Sequence, residues 1–296
     1  MNILIAPDND VIAPTCVLLN SLRLNHPDID IVVYLLWCDL TAENRKHIED
    51  YAATIGLTVV SYRLDPVRVR PIFNRIPPTD LTISCLLRCF AGEILPESVG
   101  RIVYLDTDLV VAAPITELYD TRLKGNIAAA VLNPGHAHLE THGVGEDAYF
   151  NSGVLLIDLD LWRQNDVDRQ LQSFLTSHPE SCRYFDQCAL NVALRGKVLA
   201  LDNRWNVMGS LKDASHFTSV SIIHYSGDVK PWRNPESHPY GIFYCNYSKG
   251  TPWPQRYRYK LLRQSNPFIF RTRTIFKKAG RRLTGQFGRP SARKHR

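Results

Sequence analysis

The chain has 296 residues, 45% hydrophobic and 22% charged, and a net charge of +6. This composition excludes a disordered or fibrous protein; no apolar run nears the roughly 20 residues that span a bilayer, and the opening MNILIAPDND lacks the basic flank of a secretory signal. Of the 35 Lys and Arg residues, 14 lie from Arg256 onward with no acid among them, leaving 21 against 29 acidic residues in an acidic body with a basic tail.

NILIA (2–6) is a short apolar strand, and Cys16, Leu19 and Leu22 in TCVLLNSLRLNH (15–26) recur at helical spacing. IDIVVYLLW (29–37) reads as a second strand, Thr41 as the cap of a helix reaching about Tyr51, and LTVVSYRL (57–64) as a third strand. RPIFNRIPPTD (70–80) reads as a proline-bearing loop, SCLLRCFAGEIL (84–95) as a helix and RIVYL (101–105) as a central strand. The alternation implies an α/β domain with a mainly parallel sheet, in which ligands gather at the carboxyl ends of the strands. LNPGHAHLETHGVGED (132–147) is a long loop before YFNSGVLLIDLDLW (149–162); its His136, His138 and His142 match no standard metal spacing. SVSIIHYSGDVKPW (219–232) is a last strand running into a glycine-containing loop. Seven cysteines (Cys16, Cys38, Cys85, Cys89, Cys182, Cys188 and Cys245), without a C-x-x-C pair, read as buried thiols of a reducing cytoplasm.

YLDTDLVV (104–111) sets Asp106 and Asp108 at the end of the central strand, where alternation sends both to one side. Neighbouring carboxylates repel unless a cation neutralises them. A divalent ion beside Thr107 meets that need: the oxygen pair suits Mg2+ or Mn2+, and His224 would tip the preference toward Mn2+. The same letters also fit the D-x-D-x-[TV] motif of haloacid-dehalogenase-type phosphatases, with Asp106 as phosphoryl acceptor and Asp108 as general acid. That motif follows the first strand of its domain, whereas three strands precede it here. HYSGDVKPW (224–232) separates the two readings. His224 is an imidazole ligand at a strand end, Gly227 lets backbone approach an anion, and Lys230 is a point charge for phosphate. Metal, lysine and glycine loop make a diphosphate site.

At these residues the chain resembles glycosyltransferase family 8, the retaining sugar-nucleotide-dependent enzymes. The resemblance runs from residue 2 to about residue 235 and rests on ILIAPDND, YLDTDLVV, FNSGVLLIDL, FDQCALN and HYSGDVKPW in the family's order. It implies a GT-A fold and a UDP-sugar donor bound through Mn2+. By the resemblance, Asp106, Asp108 and His224 are the metal ligands, Gly227 and Lys230 hold the diphosphate, and Ala6 and Asp8 contact uridine, with Asn9 beside them. Arg88 matches the arginine that reaches donor phosphate and sugar. Asn151 and Ser152 resemble residues near the donor sugar, and Asp186 and Gln187 those on its reacting face. Leu132 and Asn133 stand where relatives often carry an acid, which bears on selectivity.

Departure of UDP builds charge on the diphosphate, which the metal and Lys230 neutralise, while Gln187 or Asp186 orients the oxocarbenium-like sugar. Both double displacement and same-face attack remain open. The tail RYRYKLLRQSNPFIFRTRTIFKKAGRRL (256–283) interleaves aromatic and basic side chains, which suits an anionic membrane surface; the same composition also suits nucleic acid, but no nucleic-acid motif accompanies it, which favours the membrane. The expectation is a cytoplasmic hexosyltransferase, peripheral on the inner face of the membrane, acting on a lipopolysaccharide or other surface glycan. Its catalytic domain would span 1–235 and a partly helical membrane-association segment 236–296. A relative that binds glycan or lipid without turnover is the reading from another class; intact Asp106, Asp108, His224 and Lys230 argue against it.

Overall fold

The computed structural model describes residues 1–77, 81–135, 137–208 and 220–256. Four parallel strands come first in space: β3 (Thr58–Arg63), β2 (Val32–Trp37), β1 (Asn2–Ile5) and β4 (Arg101–Leu105). β7 (Phe150–Asp158) then runs antiparallel to both β4 and β6 (Ala128–Leu132), and β8 (Val198–Ala200) pairs parallel with β6. The parallel-rich sheet is as the alternation implied, with β7 reversed. A separate two-stranded ladder joins β5 (Leu109–Val111) to β9 (Ile222–His224).

The apolar runs are nearly continuous because both sheet faces are covered. Leu4, Tyr34, Leu36, Ile102 and Tyr104 pack on one side, while Ile3, Ile5, Val33, Leu35, Val103 and Leu105 pack on the other. The second side is closed by α1 (Ile12–Asn25) and α2 (Ala42–Thr54) through Leu18, Leu19, Leu22 and Ile48. Thr41 caps α2 as expected, its hydroxyl accepting the Asn44 N–H at 3.1 Å. The covering of the first side includes α7 (Val167–Ser177) and α8 (Asp186–Ala193), through Leu171, Leu175, Ala189 and Leu190.

Three expectations change. The loop at 70–80 begins as helix: Pro66–Phe73 is helical because Asp65 accepts the Val67 N–H at 2.9 Å and Pro66 occupies the first turn, so Pro71 falls inside its last turn. Ile83–Phe90 is a 3-10 helix before the short α-helix Ala91–Ile94, rather than one α-helix. The compact unit runs on through Arg256 instead of stopping near 235, because a last helix, Gly241–Ser248, packs on α1, with Asn20 Nδ2 donating to the Tyr247 carbonyl at 2.6 Å. All seven cysteines are free thiols. The basic tail call at 256–283 lies outside the described residues beyond Arg256, as does His136. Among the described residues, no helix is long and apolar enough to cross a membrane.

Candidate active site

Strand ends build the site. β1 pairs with β4 through Ile3–Val103 and Leu4–Tyr104, bringing the segments after both strands together. β7 sets Val154 opposite Leu105, and the Asp106 N–H donates to the Gly153 carbonyl at 2.9 Å, so Asn151 and Ser152 stand beside the acids. The β5–β9 ladder places His224 opposite Leu109, and the Tyr225 N–H donates to the Asp108 carbonyl at 2.9 Å. Asp106 and Asp108 do not share a strand face. They lie in the bend between β4 and β5, and the β9 ladder brings the imidazole to them.

His224 Nε2 lies 3.2 Å from Asp108 Oδ1 and 3.6 Å from Asp106 Oδ2. Donor atoms of the three residues fall within 4.8 Å of one another, and among the described residues no other cluster of three or more His, Cys, Asp or Glu comes together this way. Lys230 Nζ donates to Asp108 Oδ2 at 2.8 Å and to the Tyr225 carbonyl at 2.7 Å. Burial alone would raise the Asp108 carboxyl, but His224 and Lys230 outweigh it and hold it well below the usual carboxylate range. Burial likewise opposes charge on His224, and Asp108 with Asp106 raises it instead. Gly153 is needed here for space: a Cβ would sit 2.3 Å from His224 Cε1 and 2.7 Å from Asp106 Oδ2. Two hard carboxylates and one imidazole fit a divalent cation.

Arg88 forms the opposite wall, with 5% exposure. Its Nη1 donates to the Ser152 carbonyl at 2.7 Å, Nη2 lies 3.3 Å from Asp106 Oδ1, and Nε lies 2.5 Å from Asp186 Oδ2. Burial works against its charge, but Asp186, Tyr104 and Asp106 outweigh that and hold the guanidinium firmly protonated. Asp186 goes the other way: burial pushes its carboxyl up to about 6 despite Arg88. It enters α8 from Phe185, whose φ of 54 and ψ of −131 are unfavourable for an aromatic residue. Gln187 is fully engaged. Its Oε1 accepts from Asn151 Nδ2 at 3.0 Å, the Ser152 N–H at 3.0 Å and Ser152 Oγ at 3.3 Å, while its Nε2 donates to Tyr149 Oη at 2.9 Å.

A cleft of about 650 Å3 opens over these groups. It is lined by Asn151, Asp186 and Gln187 and by the predicted donor residues Ala6, Asp8, Arg88, Asp106, Thr107, Asp108, Ser152, Gly227 and Lys230. Asn9 is the exception. Its Oδ1 accepts from the Thr41 N–H and Asn44 Nδ2 and its Nδ2 donates to the Asp39 carbonyl, so it braces the start of α2 instead. Among the described residues, His138 and His142 join no group of three potential metal ligands; His138 faces Cys188 Sγ at 3.3 Å and His142 faces Ser181 Oγ at 2.9 Å. The sequence reading missed Tyr104, whose hydroxyl donates to Asp106 Oδ1 at 2.7 Å, Tyr149 under Gln187, and Asn206 beside His224. Only Tyr104 carried a signal, two residues before Asp106 in an alternating strand.

Residues 2–236 match the profile of glycosyl transferase family 8. The chain belongs to that family. Among similar proteins, the lipopolysaccharide 1,2-glucosyltransferase of Escherichia coli (strain K12) is 26% identical over 270 residues, 86% of this chain and 79% of its own length. General stress protein A of Bacillus subtilis (strain 168) is 26% identical over 243 residues, 76% of this chain and 84% of its own. The crystal structure of galactosyltransferase LgtC with donor and acceptor sugar analogues superposes with a TM-score of 0.76 at 23% identity, covering 92% of this chain and 99% of that one. The shared fold is therefore GT-A. Family 8 membership makes this protein a glycosyltransferase and displaces the phosphatase reading of Asp106–Val110.

Proposed function

We propose that the protein is a retaining hexosyltransferase that moves galactose or glucose from a UDP-sugar to a lipopolysaccharide or another surface glycan, with Mn2+ (or Mg2+) held by Asp106, Asp108 and His224. The observation that carries this reading is the juxtaposition of that trio with Lys230, 2.8 Å from Asp108, at the edge of a cleft whose other wall is Arg88 and Asp186. When bound, the ion would stabilise negative charge on the leaving diphosphate. Lys230, held by Asp108 and the Tyr225 carbonyl, adds an ammonium to the same charge, and Gly227, at φ 83, turns the loop so that backbone can approach it.

Arg88 fixes Asp186 and orients the Ser152 carbonyl and Asp106 together. Gln187 Oε1 already accepts from three donors and Asp186 is paired with Arg88, so neither offers an unengaged nucleophile. This supports same-face attack, with the departing phosphate taking the acceptor's proton. The acceptor and the cytoplasmic, inner-face membrane location rest on the lipopolysaccharide glycosyltransferase relatives and on the basic, aromatic tail. A donor screen tests the reading: slow UDP-sugar hydrolysis should require Mn2+, stop with EDTA and vanish in Asp108→Asn. Full activity of that variant in EDTA would refute it, and a correctly folded, UDP-binding chain without turnover on any donor would favour the non-catalytic relative.

A further inference from the structure

Behind the site runs a chain of side-chain amides whose orientation two backbone groups determine. The Gly153 N–H donates to an Asn151 side-chain atom at 2.9 Å. A backbone N–H only donates, so that atom is Oδ1. The Ser152 N–H likewise identifies Gln187 Oε1 at 3.0 Å, and the Asn151 atom facing it at 3.0 Å is then the NH2, in agreement. Asn206 meets Asn151 Oδ1 at 2.7 Å and must do so with its Nδ2. Its remaining atom, the oxygen, faces His224 Nδ1 at 3.0 Å. An amide oxygen carries no proton, so Nδ1 holds the hydrogen. In the neutral ring, the lone pair is then on Nε2, the atom that faces Asp108 and Asp106.

The backbone keeps Asn206 in place. It follows the 3-10 turn Asn203–Trp205, which Asp202 caps by accepting the Arg204 N–H at 2.9 Å. The Val207 N–H then donates to the Ile222 carbonyl and the His224 N–H to the Val207 carbonyl, each at 2.9 Å, which ties the residue after Asn206 to β9. Asn206 is 2% exposed, so water does not compete for its oxygen.

We propose that Asn206 is a positioning residue that fixes the His224 tautomer and ring orientation, and thereby sets the strength of divalent-metal binding. This rests on the reading of Asp106, Asp108 and His224 as the ligands. Outer-shell partners of ligating imidazoles commonly change metal affinity 10–100-fold when removed. Mn2+ titration of the full chain, followed by the electron paramagnetic resonance signal of the free ion without donor, is the test. Asn206→Ala should bind Mn2+ about 10–100-fold more weakly, whereas Asn206→Asp, which retains an acceptor toward Nδ1, should stay near the unsubstituted chain. If the alanine variant does not fold, Asn206→Leu, similar in shape and without an acceptor, takes its place. Unchanged affinity in the alanine or leucine variant would overturn the proposal. So would equal loss in the acceptor-free and Asp variants, since both lose the donor to Asn151 and the role would then be structural. An unsubstituted chain that binds no Mn2+ would overturn the metal assignment itself, and the proposal with it.

Discussion

Arg88 Nε stands 2.5 Å from Asp186 Oδ2, and the two residues are 5% and 3% exposed. Neither atom has an aligned hydrogen-bond partner, so the contact is mainly Coulombic. Removing one member of a buried pair leaves an uncompensated charge, at a cost of about 3–5 kcal/mol. Arg88→Ala should therefore destabilise strongly in urea unfolding. Adding Asp186→Asn should recover a large part of that loss, because the stranded carboxylate goes with it. Arg88→Lys should rescue little, since one ammonium cannot serve Asp186, Asp106 and the Ser152 carbonyl together. Strictly additive losses in the double variant would show that the pair is not coupled.

Gly153 and Gly227 should fail differently. A methyl at Gly153 would press on His224 and Asp106, so Gly153→Ala should abolish Mn2+ binding and cost about 1–3 kcal/mol as overpacking. At Gly227 a Cβ meets nothing within 4 Å, but φ is +83. Gly227→Ala should cost about 1–2 kcal/mol through backbone conformation alone, and Gly227→Asn less. Metal titration and thermal unfolding of the three variants check both claims. Normal Mn2+ affinity in Gly153→Ala would contradict the packing around His224.

The sequence was most legible where a residue type has a single local use. Thr41 before AENRK marked the start of α2, and two acids with a distant His pointed to the three residues whose donor atoms the fold brings within 4.8 Å of one another. It was least legible where a partner far along the chain decides. Asn9 turns from the cleft because Asp39, Thr41 and Asn44 hold its amide. Pro71 and the prolines after it masked a helix whose start was signalled by Asp65 and Pro66. Spacing alone does not separate the 3-10 helix at Ile83–Phe90 from an α-helix, and the left-handed Phe185 that begins α8 follows no propensity. Asn206 sits in an ordinary loop sequence and gains meaning only from the Val207–β9 contacts.

Asp168 offers a pH test away from the cleft. It accepts from Trp162 Nε1 at 2.6 Å and from the Glu93 N–H at 2.8 Å, yet burial pushes its carboxyl from 3.8 up to about 6. The folded state thus holds this proton more tightly than the unfolded chain. The contribution to stability is full below pH 3.8, declines as pH rises through about 6, and is constant above. Asp168→Asn lacks this titration. The unfolding free energy of the unsubstituted chain relative to the variant should fall by ~2–3 kcal/mol between pH 4 and 7. A flat or rising difference would mean that the hydrogen bonds, not burial, control the carboxyl.

Lys230 and Gln187 should separate binding from turnover. Lys230→Ala should weaken UDP itself, since a charge-assisted bond contributes roughly 1.5–3 kcal/mol. Gln187→Ala should lower kcat with little effect on UDP affinity, because its amide braces Asn151 and Ser152 on the sugar side. Calorimetric UDP titration beside steady-state kinetics distinguishes the two. Equal loss of UDP binding in both would show that this division of labour is wrong.

The basic tail gives the last prediction. The compact unit ends at Arg256 and contains all the residues of the proposed metal and donor site, so a chain stopped there should still hydrolyse UDP-sugar slowly. The deleted segment carries 13 Lys or Arg, no acid, and the aromatic residues interleaved with them. Each basic residue near an anionic surface contributes about 1 kcal/mol, so vesicle binding should be lost with the segment. In the full chain that binding should weaken with salt, because surface charges are screened within about 8 Å at physiological ionic strength. Transfer to a lipid-embedded acceptor should then fall far more than transfer to a soluble fragment of it, since only the former depends on holding the enzyme at the surface. Co-sedimentation with phosphatidylglycerol vesicles, run beside UDP-sugar hydrolysis, reads both halves of the claim. Equal sedimentation of the truncated and full chains would remove the membrane role from the tail, and loss of hydrolysis on truncation would assign it to the catalytic fold instead.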